Sequence, residues 1–252
     1  MVTLERPSRL VLWDVDKTLI DIGPVSDEIY REVFESVMGR PLVHVVTRAG
    51  RTDPEIAVDT LTRHGIADPG SYLDRVAETL TDAVRTRAAV IRRRGRALPG
   101  AEAALEAVAK VPGVVQSVLT GNVRDNAVAK LAMFGLDRYV DFSVGAYGSD
   151  NPVRAKLVDI ARARATAKYG AVFDDTTTVL GDSPNDIAAA RTGGAGIVAI
   201  ATGLFGTAEL EAAMQPAPPG ANGVVLTDLT DTAAILRAVL GDTGPVSDRV
   251  GP

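Results

Sequence analysis

Short continuous apolar runs alternate along the chain with longer segments of helical spacing. The first run, Leu10-Val11-Leu12-Trp13, ends abruptly in carboxylates and reads as a buried strand, because a strand covered on both faces shows no polar alternation. Similar runs recur at 114–119, 142–144, 178–180, 196–200 and 224–226, and helical spacing fills 101–110, 125–134, 153–168, 184–192 and 207–214. This order predicts an α/β fold, a Rossmann-like parallel sheet with helices on both faces joined by right-handed crossovers.

One connection breaks the rhythm. Residues 23–98 hold no convincing strand but three helical stretches, near 25–37, 54–64 and 71–92. That is too long for a crossover loop and predicts an inserted α-helical cap domain, punctuated by Gly23-Pro24 and Pro99-Gly100. The expected division is a core of 1–22 and 99–240, a cap of 23–98 and a flexible tail of 241–252. Residues 215–220 read as a Pro-rich surface loop, and a last helix at 231–240 is expected to start from a Thr230 or Asp231 cap.

Composition narrows the chemistry. The 252 residues are 46% hydrophobic and 23% charged, which describes a globular chain with room for one catalytic domain and an insertion. A net charge of -5 argues against nucleic acid as a partner, and the Arg-dense stretch at 85–96 reads as a solvated helix face. There is no cysteine, which excludes disulfides, thiolate catalysis and Cys-ligated metals. His44 and His64 share no ligand or triad spacing and are expected to be structural or exposed. No run approaches the ~20 apolar residues of a membrane span, so the expectation is a cytoplasmic protein with no membrane partner.

In open parallel sheets ligands bind beyond the carboxyl ends of the strands. Three such ends carry suggestive residues: Asp14 and Asp16 after the first run, Thr120-Gly121-Asn122 after the second, and Gly181-Asp182-Ser183-Pro184-Asn185-Asp186 after the fourth. Gathering Asp14, Asp16 and Asp182 in one crevice concentrates negative charge, which a hard divalent cation with oxygen ligands, Mg²⁺, offsets. One carboxylate then acts as a nucleophile toward phosphorus, while a second, two residues on, gives a proton to the leaving oxygen and takes one from water. The Thr120 hydroxyl and adjacent N–H groups suit a phosphate oxygen.

With these residues on view, the chain resembles the haloacid dehalogenase superfamily of phosphohydrolases, and within it the helical-cap (C1) phosphoglycolate phosphatase-like branch. The ordered motifs are DVDKT at 14–18, LTGN at 119–122, a basic residue near 154–156, and GDSPND at 181–186. The resemblance implies that Asp14 is the nucleophile and Asp16 the general acid/base. It implies that Asp14, Asp182 and the Asp16 main-chain carbonyl bind Mg²⁺, and that Thr120, Gly121, Asn122 and the basic residue hold phosphate. Asp186 and Thr18 take supporting roles. Either Arg154 or Lys156 could be the basic residue, and Lys156 is expected because lysine is usual there. Lys17 stands where the family commonly has Gly, with its ammonium expected to face solvent. In the cap, Arg51 just before a helix resembles a substrate-specificity loop, and an exposed helix start is an equal alternative.

The same resemblance sorts the reactions. Asp16 argues against dehalogenation, which needs no proton donor there. No lysine stands between Lys17 and Lys110, which removes phosphonoacetaldehyde hydrolysis through a cap Schiff base. The expectation is phosphatase action on a small phosphorylated metabolite. A phosphomutase is the alternative, and a non-catalytic phosphate-binding module is disfavoured by the four carboxylates at 14, 16, 182 and 186.

Overall fold

The computed structural model describes residues 7–215 and 223–241. The expected loop at 215–220 and tail at 241–252 lie almost wholly outside the described residues. Six strands form a parallel sheet: β1 (Arg9–Trp13), β4 (Val114–Thr120), β5 (Ala146–Tyr147), β6 (Thr177–Gly181), β7 (Gly196–Ile200) and β8 (Gly223–Leu226), in the order β5-β4-β1-β6-β7-β8. β1 lies between β4 and β6, with Trp13 opposite Val118 and Leu180. That central position explains its unbroken apolar run. Its side chains alternate between two cores: Val11 and Trp13 join one, Leu10 and Leu12 the other. The first core packs under α5 (Ala101–Ala109), α6 (Arg124–Met133) and α10 (Thr232–Leu240), the second under α7 (Lys156–Tyr169), α8 (Pro184–Thr192) and α9 (Thr207–Ala213).

The helical insertion leaves and rejoins the core through a short antiparallel pair, β2 (Ile20–Asp21) and β3 (Arg96–Ala97). Between them run α1 (Val25–Met38), α2 (Asp53–Arg63), α3 (Leu73–Thr86) and α4 (Ala88–Arg94). Ile29, Val33, Leu80 and Val84 extend the first core upward, so the insertion shares apolar packing with the sheet's helices. Arg87 and Arg94 of the Arg-dense stretch pair with Glu28 of α1, tying the helices together at their surface.

Three expectations change. The strand expected at 142–144 forms instead at 146–147: Asp141 turns the chain by accepting from the N–H and hydroxyl of Ser143, which delays pairing with β4. The helix expected over 71–92 breaks at Arg87, where ψ of 8° departs from helical geometry. α7 begins at Lys156, three residues later than expected, because Asn151 and Pro152 stand before it, where the Asn151 carboxamide oxygen accepts from Val153 N–H. Asp231 caps α10, accepting from Ala234 N–H at 2.8 Å.

Candidate active site

The site sits at the carboxyl ends of β1, β4 and β6. Asp14 continues the ladder by one bond, its N–H donating to Leu180 O at 2.8 Å. The chain then reverses within six residues, with Leu19 and Ile20 N–H both donating to Val15 O. Lys17 takes the sharpest position with φ 71°, a left-handed conformation that favours glycine. Its ammonium reaches Asp21 at 2.6 Å with the side chain 41% exposed, so it is paired within the turn as well as partly solvated. The Lys17 carbonyl accepts from the Thr202 hydroxyl at 2.6 Å, which fastens the turn to the loop after β7.

Asp14, Asp182 and Asp186 place carboxylate oxygens within 4.8 Å of one another, all buried. Asp186 is fixed by a capping box at the start of α8: its Oδ2 accepts from Ser183 N–H and hydroxyl while Ser183 Oγ accepts from Asp186 N–H. Its other oxygen accepts from Arg154 Nη2 at 2.6 Å, and the same nitrogen donates to Asp14 Oδ1 at 2.7 Å. Asp182 accepts from the Thr18 hydroxyl at 3.3 Å, and the loop after β7 closes over it: a Cβ at Gly203 would stand 1.7 Å from Asp182 Oδ2.

One guanidinium therefore faces three buried acids, and burial dominates the titration of two of them, Asp14 and Asp182. Desolvation pushes the Asp14 carboxyl up to about 7, with Arg154 opposing and Asp186 and Asp16 reinforcing the rise. Desolvation also holds Asp182 well above the ordinary carboxylate range, with Asp186 and Asp14 adding to it. A set of oxygen donors this short of positive charge is what a hard divalent cation requires, so the residues present fit such an ion. Asp14, Asp182 and Asp186 would hold it or orient its waters.

Asp16 points elsewhere. Its Oδ2 accepts from Lys130 Nζ at 2.6 Å and from Asn122 Nδ2 at 2.8 Å, and the Asp16 carboxylate is not part of the acid cluster. Asn122 also donates to Thr120 Oγ1 at 2.8 Å and accepts from Lys130 at 2.7 Å, so the end of β4 and α6 together position Asp16. Lys130 was not among the expected residues. A lysine at an inward-facing helical position beside Ala127 and Leu131, in so lysine-poor a chain, is the signal that marks it.

The candidate cations take different places. Lys156 is exposed at the first turn of α7, whereas Arg154, 8% exposed, reaches Asp14 and Asp186. The shift follows from the later helix start, which leaves Arg154 in the turn that faces the site. Arg51 folds back onto its own helix, donating to Glu55 at 2.7 Å and Asp59 at 2.9 Å, so its side chain does not enter the acid cluster.

The backbone around Arg51 does reach the core. Asp53 N–H donates to Gly121 O at 2.8 Å, Asn185 Nδ2 to Ala49 O at 3.0 Å, and the Thr52 hydroxyl to Pro152 O at 2.9 Å. A Cβ at Gly121 would stand 2.0 Å from Arg51 O, and one at Gly148 2.0 Å from Gly121 O. The loop before α2 thus lies on the strand ends with no room between. Asp53, held above its ordinary titration range by burial, accepts from Val123 N–H and from the Tyr30 hydroxyl of α1. His64 accepts from Val43 and His44 N–H groups away from the site, a structural place.

Among the described residues no helix is long and apolar enough to cross a membrane. A search of curated proteins returned no match. Solved structures do match over most of their length. A hydrolase from Pseudomonas syringae is 22% identical, covering 92% of this chain and 99% of that one, with a TM-score of 0.66. A "predicted phosphoglycolate phosphatase" from Haemophilus somnus is 20% identical with coverages of 91% and 98% and a TM-score of 0.60. A "putative beta-phosphoglucomutase" from Thermotoga maritima is 21% identical with coverages of 92% and 99% and a TM-score of 0.55. At these identities the likeness is one of fold, a parallel core with a helical insertion. The family model of haloacid dehalogenase-like hydrolases matches residues 9–194, from β1 through the GDSPND turn, and the chain belongs to that family.

Proposed function

We propose that the protein is a Mg²⁺-dependent phosphatase that hydrolyses a small phosphomonoester through an aspartyl-phosphate on Asp14. The observation that carries this reading is the pair of carboxylates on one turn with opposite surroundings: Asp14 buried against Arg154 and two further acids, Asp16 held across from it by Asn122 and Lys130. In the first half-reaction an Asp14 oxygen attacks phosphorus and the ester P–O bond breaks. The leaving oxygen takes its proton from Asp16. In the second, water attacks the phosphorus, gives a proton to Asp16 and releases inorganic phosphate, restoring the Asp14 carboxylate. Arg154 offsets charge on Asp14 and Asp186, and the Thr120 hydroxyl and adjacent backbone N–H groups are assigned to hold the transferring group. When bound, the cation neutralises the acids and the phosphate together, keeping Asp14 ionised. The loop 49–53 keeps bulk water from the strand ends.

That close seal favours phosphomutase action as a second reading, since a site that excludes water can return phosphate to a second hydroxyl. A phosphate-release screen over small phosphomonoesters, with and without Mg²⁺, on wild type and Asp14→Asn, separates the cases. Mg²⁺-dependent release that disappears in the variant is expected. Release without metal, or by the variant at wild-type rate, overturns the mechanism. No release together with phosphate migration within a hexose phosphate establishes the mutase.

A further inference from the structure

α6 turns an unusual face toward the insertion. Asn126, 1% exposed, has neither its carboxamide oxygen nor its nitrogen paired with any described residue. It lines a small cavity, about 10 Å³, with Asn122 and Lys130 on one wall and Ser26, Tyr30 and Leu80 of the insertion on the other. Space of this size holds one water-sized group. Lys130 spends two N–H groups on Asp16 and Asn122, and a third remains for the cavity.

Helix residues facing apolar neighbours are ordinarily apolar, and a buried carboxamide with both ends unpaired is disfavoured unless something completes it. Asn126 offers two donors and one acceptor. A carboxylate or a second phosphate only accepts and would leave Asn126 Oδ1 unpaired. A hydrocarbon would leave both ends unpaired. A hydroxyl, of an alcohol or of a lone water, donates and accepts, fits the space, and can accept from the remaining Lys130 N–H; the ester comparison below tells the two apart, since a lone water gives equal rates. The cavity shares Lys130 and Asn122 with Asp16, the group assigned to protonate the leaving oxygen.

From this juxtaposition we infer that the cavity between α6 and the insertion is a leaving-group subsite in which Asn126 and Lys130 bind a single hydroxyl of the alcohol, so that the substrate is a polyol or sugar phosphate. This rests on the phosphomonoesterase reading above, and the test separates the two. Phosphate release from glycerol 1-phosphate and from n-propyl phosphate, which differ only in hydroxyls, is compared for wild type and Asn126→Leu in Mg²⁺. Wild type is expected to favour the glycerol ester in kcat/KM by about 30-fold or more, since sites built to bond a hydroxyl reject the analogue lacking it. Asn126→Leu should bring the ratio below about 3, and Asn126→Ser, which keeps a small polar group should the leucine variant fail to fold, should give an intermediate ratio. Equal rates in wild type, or a ratio unchanged in the variants, overturn the subsite. Calorimetric binding of the two esters to Asp14→Asn reads the pocket without turnover. Preference for the glycerol ester there, with no release by wild type, sinks the phosphatase reading and keeps the subsite, whereas equal binding sinks the subsite itself.

Discussion

Replacing Asp14 by asparagine should abolish phosphate release and make the metal-free protein more stable, two effects of opposite sign from one near-isosteric change. Burial pushes Asp14 up to about 7 from 3.8, so at 1.36 kcal/mol for each pH unit its ionisation in the fold costs ~4 kcal/mol relative to the unfolded chain. The carboxamide introduced by Asp14→Asn keeps an oxygen to accept from Arg154 Nη2, and the charge assistance that the 2.7 Å bond loses is already contained in the value of about 7, which Arg154 holds down. The balance is ~4 kcal/mol in favour of the variant near pH 8 in chelator, or ~8–16 °C in Tm for a chain of this size. Thermal unfolding followed by circular dichroism gives the comparison, and the single tryptophan, Trp13, adjacent to the substitution, gives a fluorescence probe at the site. Added Mg²⁺ should raise the wild-type Tm more than the variant's, because metal binding draws on the ionised carboxylate. Activity should fall by roughly a thousandfold or more. If Asp14→Asn melts below wild type at pH 8 in chelator, the acid cluster is not short of positive charge and the argument for a cation there fails.

Arg154→Met leaves Asp14 and Asp186 facing one another without a cation. It should cost ~3–5 kcal/mol in urea unfolding, with Arg154→Lys losing less; equal stability of all three proteins would refute the bridging role. For metal-free wild type, Asp14 is raised in the fold, so its contribution is fully present below pH ~4 and is lost as pH rises through about 7, with Asp182 acting in the same direction. Tm should therefore fall between pH 5 and 8 in chelator and recover with Mg²⁺, and a rise over that window would count against it. At the acid end the sign reverses: Asp141, lowered to about 2 chiefly by the hydrogen bonds from Lys168 and Tyr169 against its desolvation, stabilises above pH ~4 and its contribution is lost as pH falls toward 2. Gly121→Ala sets a Cβ 2.0 Å from Arg51 O and should lift the loop 49–53. Faster amide exchange there with little loss of core protection is the expected result, and unchanged exchange would show that the contact yields elsewhere. Lys130→Met frees the Asp16 carboxylate and should lower kcat by about 10–100-fold, whereas an unchanged kcat would remove Lys130 from the site.

Elements that depend on local pattern are legible in the amino-acid sequence. β1, β7 and α8 lie where apolar continuity and the Ser-Pro start place them, because each is decided by neighbours within a few positions. Two members of the acid cluster, Asp14 and Asp182, are legible for a topological reason, since parallel strands bring their carboxyl ends together, whereas Asp186 stands where Asp16 is expected because the Asp16 carboxylate turns to Lys130 and Asn122. What escapes such reading are choices between neighbouring candidates and pairings with distant partners. Arg154 against Lys156 turns on where α7 starts, a boundary set by Asn151 and Pro152 rather than by periodicity. Lys130 carries only the mark of its inward-facing place, because its partner Asp16 lies 114 positions away. Arg51 is drawn to Glu55 and Asp59, a local competition that spacing alone leaves open.

The joint between the insertion and the strand ends has a consequence for how such a protein can change. On the insertion's side its tightest contacts use main-chain atoms: Arg51 O over Gly121, Asp53 N–H donating to Gly121 O, and Ala49 O accepting from the Asn185 carboxamide. Contacts of that kind are blind to which side chain stands at position 51 or 49, provided positions 121 and 148 stay glycine. Docking geometry and chemical preference are thereby carried by different atoms. A library randomised at 26 and 126 would redirect the alcohol accepted while the shutter still meets its frame.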